Sequence, residues 1–194
     1  AELTSECKGE KSDDIRKRVE KAIRENKKFK VVVFIPLLPG FAGEIEDSGC
    51  LQLICKHTYY GISHNHGLSI MEKLAEVLKE LGRPVTELSN YINFYSLRNH
   101  GVLKGNPVTE LIYIHSKLMI VDDRYVLIGS ANINDRSMLG WRDSEFAVIV
   151  KEEQTFDSKM DCSEEEKTAG TKNYKAAKFA AEFRRALMAE HLGL

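Results

Sequence analysis

Residues 112–150 read IYIHSKLMIVDDRYVLIGSANINDRSMLGWRDSEFAVIV, and this stretch decides the fold. Its runs of β-branched and aromatic residues predict strands over Leu111–Val121, Tyr125–Gly129 and Glu145–Val150. The intervening Asp122-Asp123-Arg124 predicts a tight turn between the first two of these strands.

Helices and strands alternate along the rest of the chain, which predicts an α/β fold in layers. Amphipathic periodicity indicates helices over Ser12–Asn26, Leu51–Tyr60, Leu68–Leu81 and Lys172–His191, and apolar runs indicate strands over Lys30–Ile35 and Tyr91–Tyr95. The acidic segment Lys151–Thr171 has no apolar periodicity and predicts a surface loop. At roughly 100–200 residues per domain, we expect residues 1–194 to form a single domain.

The charge balance excludes partners that need a strongly basic surface. The chain has 28 Lys and Arg residues against 29 Asp and Glu residues, for a net charge of −1. We therefore expect no nucleic-acid partner, and any phosphate must bind at a local site. The four cysteines form no C-x-x-C pair, so we expect reduced intracellular thiols and no zinc site.

Three residues in the deciding stretch have the spacing H-x-K-x4-D: His115, Lys117 and Asp122. On one strand, His115 and Lys117 would point to the same face, because side chains alternate along a strand. An imidazole and an ammonium group would then project into one site. Asp122 is expected to do turn or orienting work.

A second pattern, G-S-x-N, follows at Gly129, Ser130 and Asn132. Glycine allows a close backbone approach to a ligand, and the serine and asparagine side chains can donate hydrogen bonds. Together with a lysine and a histidine, these groups suit phosphoryl chemistry, in which cations and neutral donors hold the phosphate oxygens.

The combined pattern resembles the HKD signature of the phospholipase D superfamily. The segments IHSKLMIVDD, IGSANINDRSM and RDSE resemble the second HKD motif of eukaryotic phospholipases D, and IPLLPGF and YINFYSLRNHG upstream resemble the animal, fungal and protist phosphatidylcholine enzymes. The resemblance implies a mixed-sheet α/β/α sandwich, which is one lobe of a bilobal core with a pseudo-two-fold axis.

In this family two HKD motifs meet, one histidine forms a phosphohistidine, and the other protonates the leaving group and then activates water or an alcohol. The resemblance implies that His115 is the general acid/base and that Lys117, Ser130 and Asn132 bind the substrate phosphate. Glu145 matches the carboxylate that orients the catalytic histidine. The resemblance implies neither a metal nor another cofactor.

The chain departs from the two-motif pattern, because no second H-x-K occurs in it. If the chain is an excerpt, the partner motif lies upstream in the same polypeptide, and if it is complete, two copies must combine. We expect the isolated chain to have little phospholipase activity. The alternatives are a homodimeric HKD phosphodiesterase or nuclease and a non-catalytic membrane-interaction module.

The resemblance also implies a partner and a location. It implies action at a phospholipid membrane surface, with the protein cytoplasmic and peripheral on intracellular or plasma membranes. Within the motif region, we expect Arg136 to fix its loop by pairing with an acid such as Asp143. Trp141 could face a membrane or pack in the interior.

Overall fold

The computed structural model describes residues 10–40, 50–158 and 174–194. Its helices and strands confirm the α/β class predicted from the sequence. By internal contacts, the chain divides into two compact units. The first unit contains the described residues up to His115 and Asn132–Ser144, and the second contains Ser116–Ala131 and the described part of Glu145–Leu194.

The first unit is built around helices that pack on a parallel strand pair. Its helices are α1 (Glu10–Arg24), α2 (Cys50–Ile62), α3 (Ile70–Glu80), the 3₁₀ helix Val85–Asn90 and the short α4 (Asp135–Met138), and its paired strands are β1 (Val31–Phe34) and β2 (Ile92–Tyr95). The apolar stripes of α1 and α3 meet in a core that includes Val19, Ile23, Leu74, Leu78 and Ile92. Amphipathic periodicity therefore predicted these two helices correctly, to within two residues at each end.

The start of α3 is fixed by a reciprocal capping box. Ser69 Oγ accepts from the Glu72 backbone N–H at 3.2 Å, and Glu72 Oε2 accepts from the Ser69 backbone N–H at 3.2 Å and from the Asn65 N–H at 2.8 Å. These hydrogen bonds, of which the one from Asn65 has the largest effect, lower the pKa of Glu72 to about 2.

A β-hairpin precedes the motif and was not predicted. β3 (Leu97–Leu103) pairs antiparallel with β4 (Asn106–Ile112), and the two-residue turn Lys104-Gly105 has positive φ at both positions. The predicted strand Leu111–Val121 is therefore wrong as one element. Residues 113–116 are not in a strand, and a new strand begins at Lys117.

The second unit contains a three-stranded antiparallel sheet of β5 (Lys117–Val121), β6 (Tyr125–Gly129) and β7 (Ala147–Lys151). The turn between β5 and β6 has positive φ at Asp122 and Asp123, and the Arg124 N–H donates to the Val121 carbonyl at 2.9 Å. This confirms the tight turn predicted there.

The C-terminal part of this unit differs from the prediction. β8 (Thr155–Ser158) lies inside the segment predicted as a surface loop, and it pairs antiparallel with β9 (Tyr174–Ala177). The last helix, α5 (Lys178–Leu192), begins later than the predicted Lys172 because Tyr174–Ala177 is paired in this sheet. Residues 159–173 of the predicted loop and helix lie outside the described residues.

The core of the second unit joins the sheet to its last helix. Val126, Ala177 and Ala180 are buried together, with Leu118, Ile120, Val150 and Phe183 packed against them. At the far end of the sheet, the buried Asp123 accepts two hydrogen bonds from Arg184, at 2.6 and 2.8 Å. The β5–β6 turn is thereby held to α5.

Candidate active site

One end of the three-stranded sheet gathers three of the predicted site residues. Lys117 at the start of β5 lies opposite Gly129 at the end of β6, and Gly129 lies opposite Ala147 at the start of β7. Ser130 follows Gly129 directly, and Glu145 lies two residues before Ala147. The pairing of β5, β6 and β7 therefore brings an ammonium, a hydroxyl and a carboxylate group to the same end of the sheet.

Ser130 and Glu145 are directly hydrogen-bonded. The Ser130 hydroxyl donates to Glu145 Oε2, and Ser130 Oγ accepts from the Phe146 backbone N–H at 3.0 Å. The Ser130 backbone N–H donates to the Phe146 carbonyl at 2.9 Å. The Ser130 proton is thus directed at Glu145, whereas the resemblance implied a direct donor to phosphate.

Gly129 is required for the close approach of two strands. A Cβ atom at this position would lie 2.6 Å from the Phe146 carbonyl oxygen and 2.7 Å from the Ala147 Cβ. The sequence-based expectation was that this glycine lets the backbone approach a ligand. The structure shows instead that its missing side chain lets β6 approach the backbone that leads into β7.

His115 lies in the irregular segment between β4 and β5, and its side chain is exposed. The expectation that His115 and Lys117 share one strand face is therefore wrong, although chain connectivity keeps their Cα atoms within about 7 Å. The imidazole stacks on Tyr113, with ring centroids 6.1 Å apart and planes at 21°. Sequence reasoning did not single out Tyr113, and its only signal was an aromatic residue two positions before the histidine.

Asn132 begins a loop that is held by contacts within its own unit. Its backbone N–H donates to Ser137 Oγ at 3.1 Å. Arg136 Nε lies 3.0 Å from Asp143 Oδ2, which confirms the pairing expected from the sequence. Trp141 within this loop is 76% exposed, so it does not pack in the interior of the described part of the chain.

Asp122 lies at the opposite end of β5 from Lys117. Five residues at roughly 3.3 Å each separate the two Cα atoms by about 16 Å. The Asp122 side chain is exposed, and its carbonyl accepts from the Tyr174 hydroxyl at 2.7 Å. The neighbouring Asp123 is the buried carboxylate of this turn, and the sequence predicted only that it lies in the turn.

Two other kinds of feature, a metal site and a membrane-spanning helix, are absent from the described residues. Within ranges 10–40, 50–158 and 174–194, no group of three or more His, Cys, Asp or Glu side chains is arranged to hold a metal ion. None of the helices in these ranges is both long and apolar enough to cross a bilayer.

Comparison with known proteins adds the family. A sequence model of the family described as phospholipase D matches residues 12–194. The chain belongs to the phospholipase D family. The match confirms the membership predicted from the H-x-K-x4-D and G-S-x-N patterns, and it extends well beyond them.

Individual phospholipases D from distant organisms are similar to this chain. It is 49% identical to human phospholipase D1 over 174 residues, which are 89% of this chain and 15% of the human protein. It is 46% identical to Arabidopsis thaliana phospholipase D zeta 1 over 182 residues, or 92% of this chain and 15% of that protein. It is 42% identical to Schizosaccharomyces pombe phospholipase D1 over 186 residues, which are 94% of this chain and 12% of that protein. The chain thus spans a small part of the length of these relatives.

Proposed function

We propose that this chain supplies one of the two HKD half-sites of a phospholipase D that hydrolyses phosphatidylcholine to phosphatidic acid and choline. With an alcohol in place of water, the same site would transfer the phosphatidyl group. The protein would act from the cytoplasmic side as a peripheral protein of intracellular or plasma membranes.

One observation supports this proposal above the others. Lys117, Ser130 and Glu145 lie at the same end of one sheet, where Ser130 is hydrogen-bonded to Glu145. A lysine at this position can balance the negative charge of a phosphodiester, and charge stabilisation of this kind is a large contribution to catalysis. If this end of the sheet were only a solvent-exposed surface, it would not need a hydroxyl and a carboxylate held together by a hydrogen bond.

In the proposed first step, a histidine of the complementary half-site attacks phosphorus, and the bond between phosphorus and the choline oxygen breaks. His115, in its protonated form, gives its proton to that oxygen, and choline leaves. Imidazole suits this step because its ordinary pKa lies near neutral pH.

In the proposed second step, the now neutral His115 takes a proton from water, and the water oxygen attacks phosphorus. The bond between phosphorus and the nucleophilic histidine breaks, and phosphatidic acid is released. His115 returns to its protonated form, so the proton balance closes over one turnover.

The remaining predicted residues take supporting roles in this proposal. Lys117 and Asn132 hold phosphate oxygens, and Glu145 accepts from the His115 imidazole to fix its orientation. Ser130 positions Glu145 through the hydrogen bond described above, and it donates to phosphate only when that bond is released. Asp122 acts through the β5–β6 turn. No metal or other cofactor takes part.

The test combines this chain with the complementary half-site and measures choline release from phosphatidylcholine vesicles. We expect His115→Ala to lower the rate by about 10²–10⁴-fold, the usual contribution of a general acid/base. The matched control is His57→Ala, since His57 is an exposed histidine on α2. The control should keep the wild-type rate. Equal rates for His115→Ala and the wild type would refute the catalytic role of His115.

A further inference from the structure

The β3–β4 hairpin is exposed on both of its faces. Every residue from Arg98 to Glu110 has an exposed side chain in the described part of the chain. A two-stranded hairpin alone is marginally stable in water, so a hairpin with no covered face is an element that gains from contact with another body.

Apolar side chains lie near the tip of this hairpin on both of its faces, with Asn106 as the one polar side chain in the strands there. On one face, Leu103 and Val108 lie near the tip while Asn99 and Glu110 lie further back. On the other face, Val102 and Pro107 lie near the tip, and His100 and Thr109 lie behind them, joined by a hydrogen bond of 2.9 Å. Both faces therefore change from mainly apolar at the tip to polar in the middle of the hairpin, and Leu97, Leu111 and Ile112 lie at its base.

This arrangement matches a lipid slab better than a protein surface. A hairpin that packs on a protein buries one face, and its apolar residues then alternate along each strand. A hairpin that enters a bilayer interface is apolar to a fixed depth on all sides. Here the apolar band spans three residues of β3, about 10 Å, which is the depth that interfacial elements reach in a membrane.

The charge of the hairpin indicates the kind of lipid. Lys104 lies in the turn itself, and the single acid between Leu97 and Ile112 is Glu110, which lies behind the apolar band. Lys104 has φ of 51°, a conformation that turns normally give to Asn, Asp or Gly. A lysine in this strained position can bring its charge to the level of anionic headgroups while Leu103 enters the acyl region.

We propose that the β3–β4 hairpin inserts its tip into an anionic phospholipid surface. The proposal rests on the proposed function, because it takes the substrate to be a membrane lipid. It adds a docking element with an apolar anchor, Val102 and Leu103, which are 75% and 63% exposed, and a cationic contact, Lys104.

The first test is flotation of the full chain with vesicles of phosphatidylcholine alone or mixed with phosphatidic acid. We expect Leu103→Ser to lower partitioning into mixed vesicles about tenfold, because one buried leucine is lost. Lys104→Asn keeps a residue that tolerates the turn, and it should lower the preference for mixed vesicles about fivefold. The control is Leu53→Ser on α2, at a leucine that is 70% exposed, and it should bind as the wild type does.

The second test reports on the tip itself. With Trp141→Phe as background, Val102→Trp should shift its fluorescence to shorter wavelength when mixed vesicles are added. An unchanged spectrum would overturn the proposal, as would wild-type binding by Leu103→Ser, equal loss in the Leu53→Ser control, or failure of the wild-type chain to bind. A shift caused by the complementary half-site and not by vesicles would also overturn it and identify a protein interface.

These results are separable from those that test catalysis. Vesicle binding needs no turnover, so His115→Ala should float with mixed vesicles as the wild type does. If the hairpin variants bind normally while His115→Ala abolishes choline release, the docking proposal fails and the proposed function stands. If the hairpin variants lose vesicle binding while His115→Ala releases choline at the wild-type rate, the docking proposal stands and the proposed function fails.

Discussion

Gly129 is the point where β6 comes closest to the chain that leads into β7. A methyl group there would lie within 3 Å of the Phe146 carbonyl and of Ala147. We expect Gly129→Ala to destabilise the second unit by about 1–3 kcal/mol, the usual cost of overpacking, and to displace the contact between Ser130 and Glu145. Urea unfolding would measure the first effect and choline release of the combined half-sites the second.

Gly101→Ala is the matched control for this substitution. Gly101 is also a strand glycine, but the nearest atom to its added Cβ is a Val108 methyl at 3.9 Å, which is ordinary contact. We expect its unfolding free energy to stay within about 0.5 kcal/mol of the wild type. Equal destabilisation by both substitutions would mean that the tight approach at Gly129 is not the cause.

Glu72 gives the first unit a pH-dependent contribution to stability. Its pKa is lowered from 4.5 to about 2 by hydrogen bonds from Asn65 and Ser69, so the contribution is complete above pH 4.5 and is lost as the pH falls towards 2. We expect Glu72→Gln to lower the melting temperature at neutral pH and to flatten its fall across that window. Glu76→Gln, at an exposed position of the same helix, should melt as the wild type does at each pH.

At the scale of elements, the contact between the β5–β6 turn and α5 holds the second unit together. The Asp123 side chain is 1% exposed, and the Arg184 side chain is 37% exposed. We expect Asp123→Asn to cost about 2 kcal/mol, which is below the range for fully buried pairs because Arg184 keeps access to water. The measurement is the urea unfolding midpoint at unchanged slope.

Asp122→Asn is the matched control, because it tests whether the structural role belongs to Asp123 alone. The Asp122 side chain is exposed, and asparagine tolerates its positive φ, so we expect a change of less than about 0.5 kcal/mol. A larger loss for Asp122→Asn than for Asp123→Asn would reverse the roles that the geometry gives to the two residues.

Three of the elements that the sequence predicted contain a regular apolar pattern of their own. α1 and α3 have apolar stripes, and β1 is a continuous apolar run, so each contains its own signal. The β3–β4 hairpin has no buried face and therefore no regular alternation, and its only local signal was the two-residue turn with Gly105.

β8 and β9 were missed for a different reason. The segment Tyr174–Ala177 reads YKAA, which by composition favours a helix, and it is a strand because it pairs with Thr155–Ser158. That pairing depends on contacts between distant parts of the chain, which local propensity does not contain. The same limit applies to Asp123, because its partner Arg184 lies 61 residues later in the chain, in α5.

For the candidate site, the sequence predicted the family correctly but did not predict how the candidate residues are arranged. The spacing of His115, Lys117 and Ser130 was enough to identify the family, because such a pattern rarely arises by chance. The contact of Ser130 with Glu145 depends on the register of β6 and β7, which the sequence does not contain. The irregular backbone at His115 could not be predicted either, because the sequence on both sides of it and across it has the composition of a strand.

At the scale of the whole molecule, the chain corresponds to 15% of human phospholipase D1. It contains one H-x-K pattern, and the proposed chemistry needs two histidines. We expect a preparation shown to be monomeric by light scattering to release choline at a rate near the background, and addition of the complementary half-site to restore release. Robust release by the monomer would contradict the two-half-site mechanism.

The second unit is assembled from chain segments that are distant in sequence and are therefore synthesised one after the other. Val126 lies about 50 residues before Ala177 and Ala180, a few seconds of synthesis at roughly 5–20 residues per second, yet these residues share one core. During translation, the apolar side of β5, β6 and β7 therefore has no α5 to cover it until the last helix has left the ribosome. Nascent chains that stall before residue 178 would expose this surface, and they are the species in which we expect chaperone binding and aggregation to concentrate.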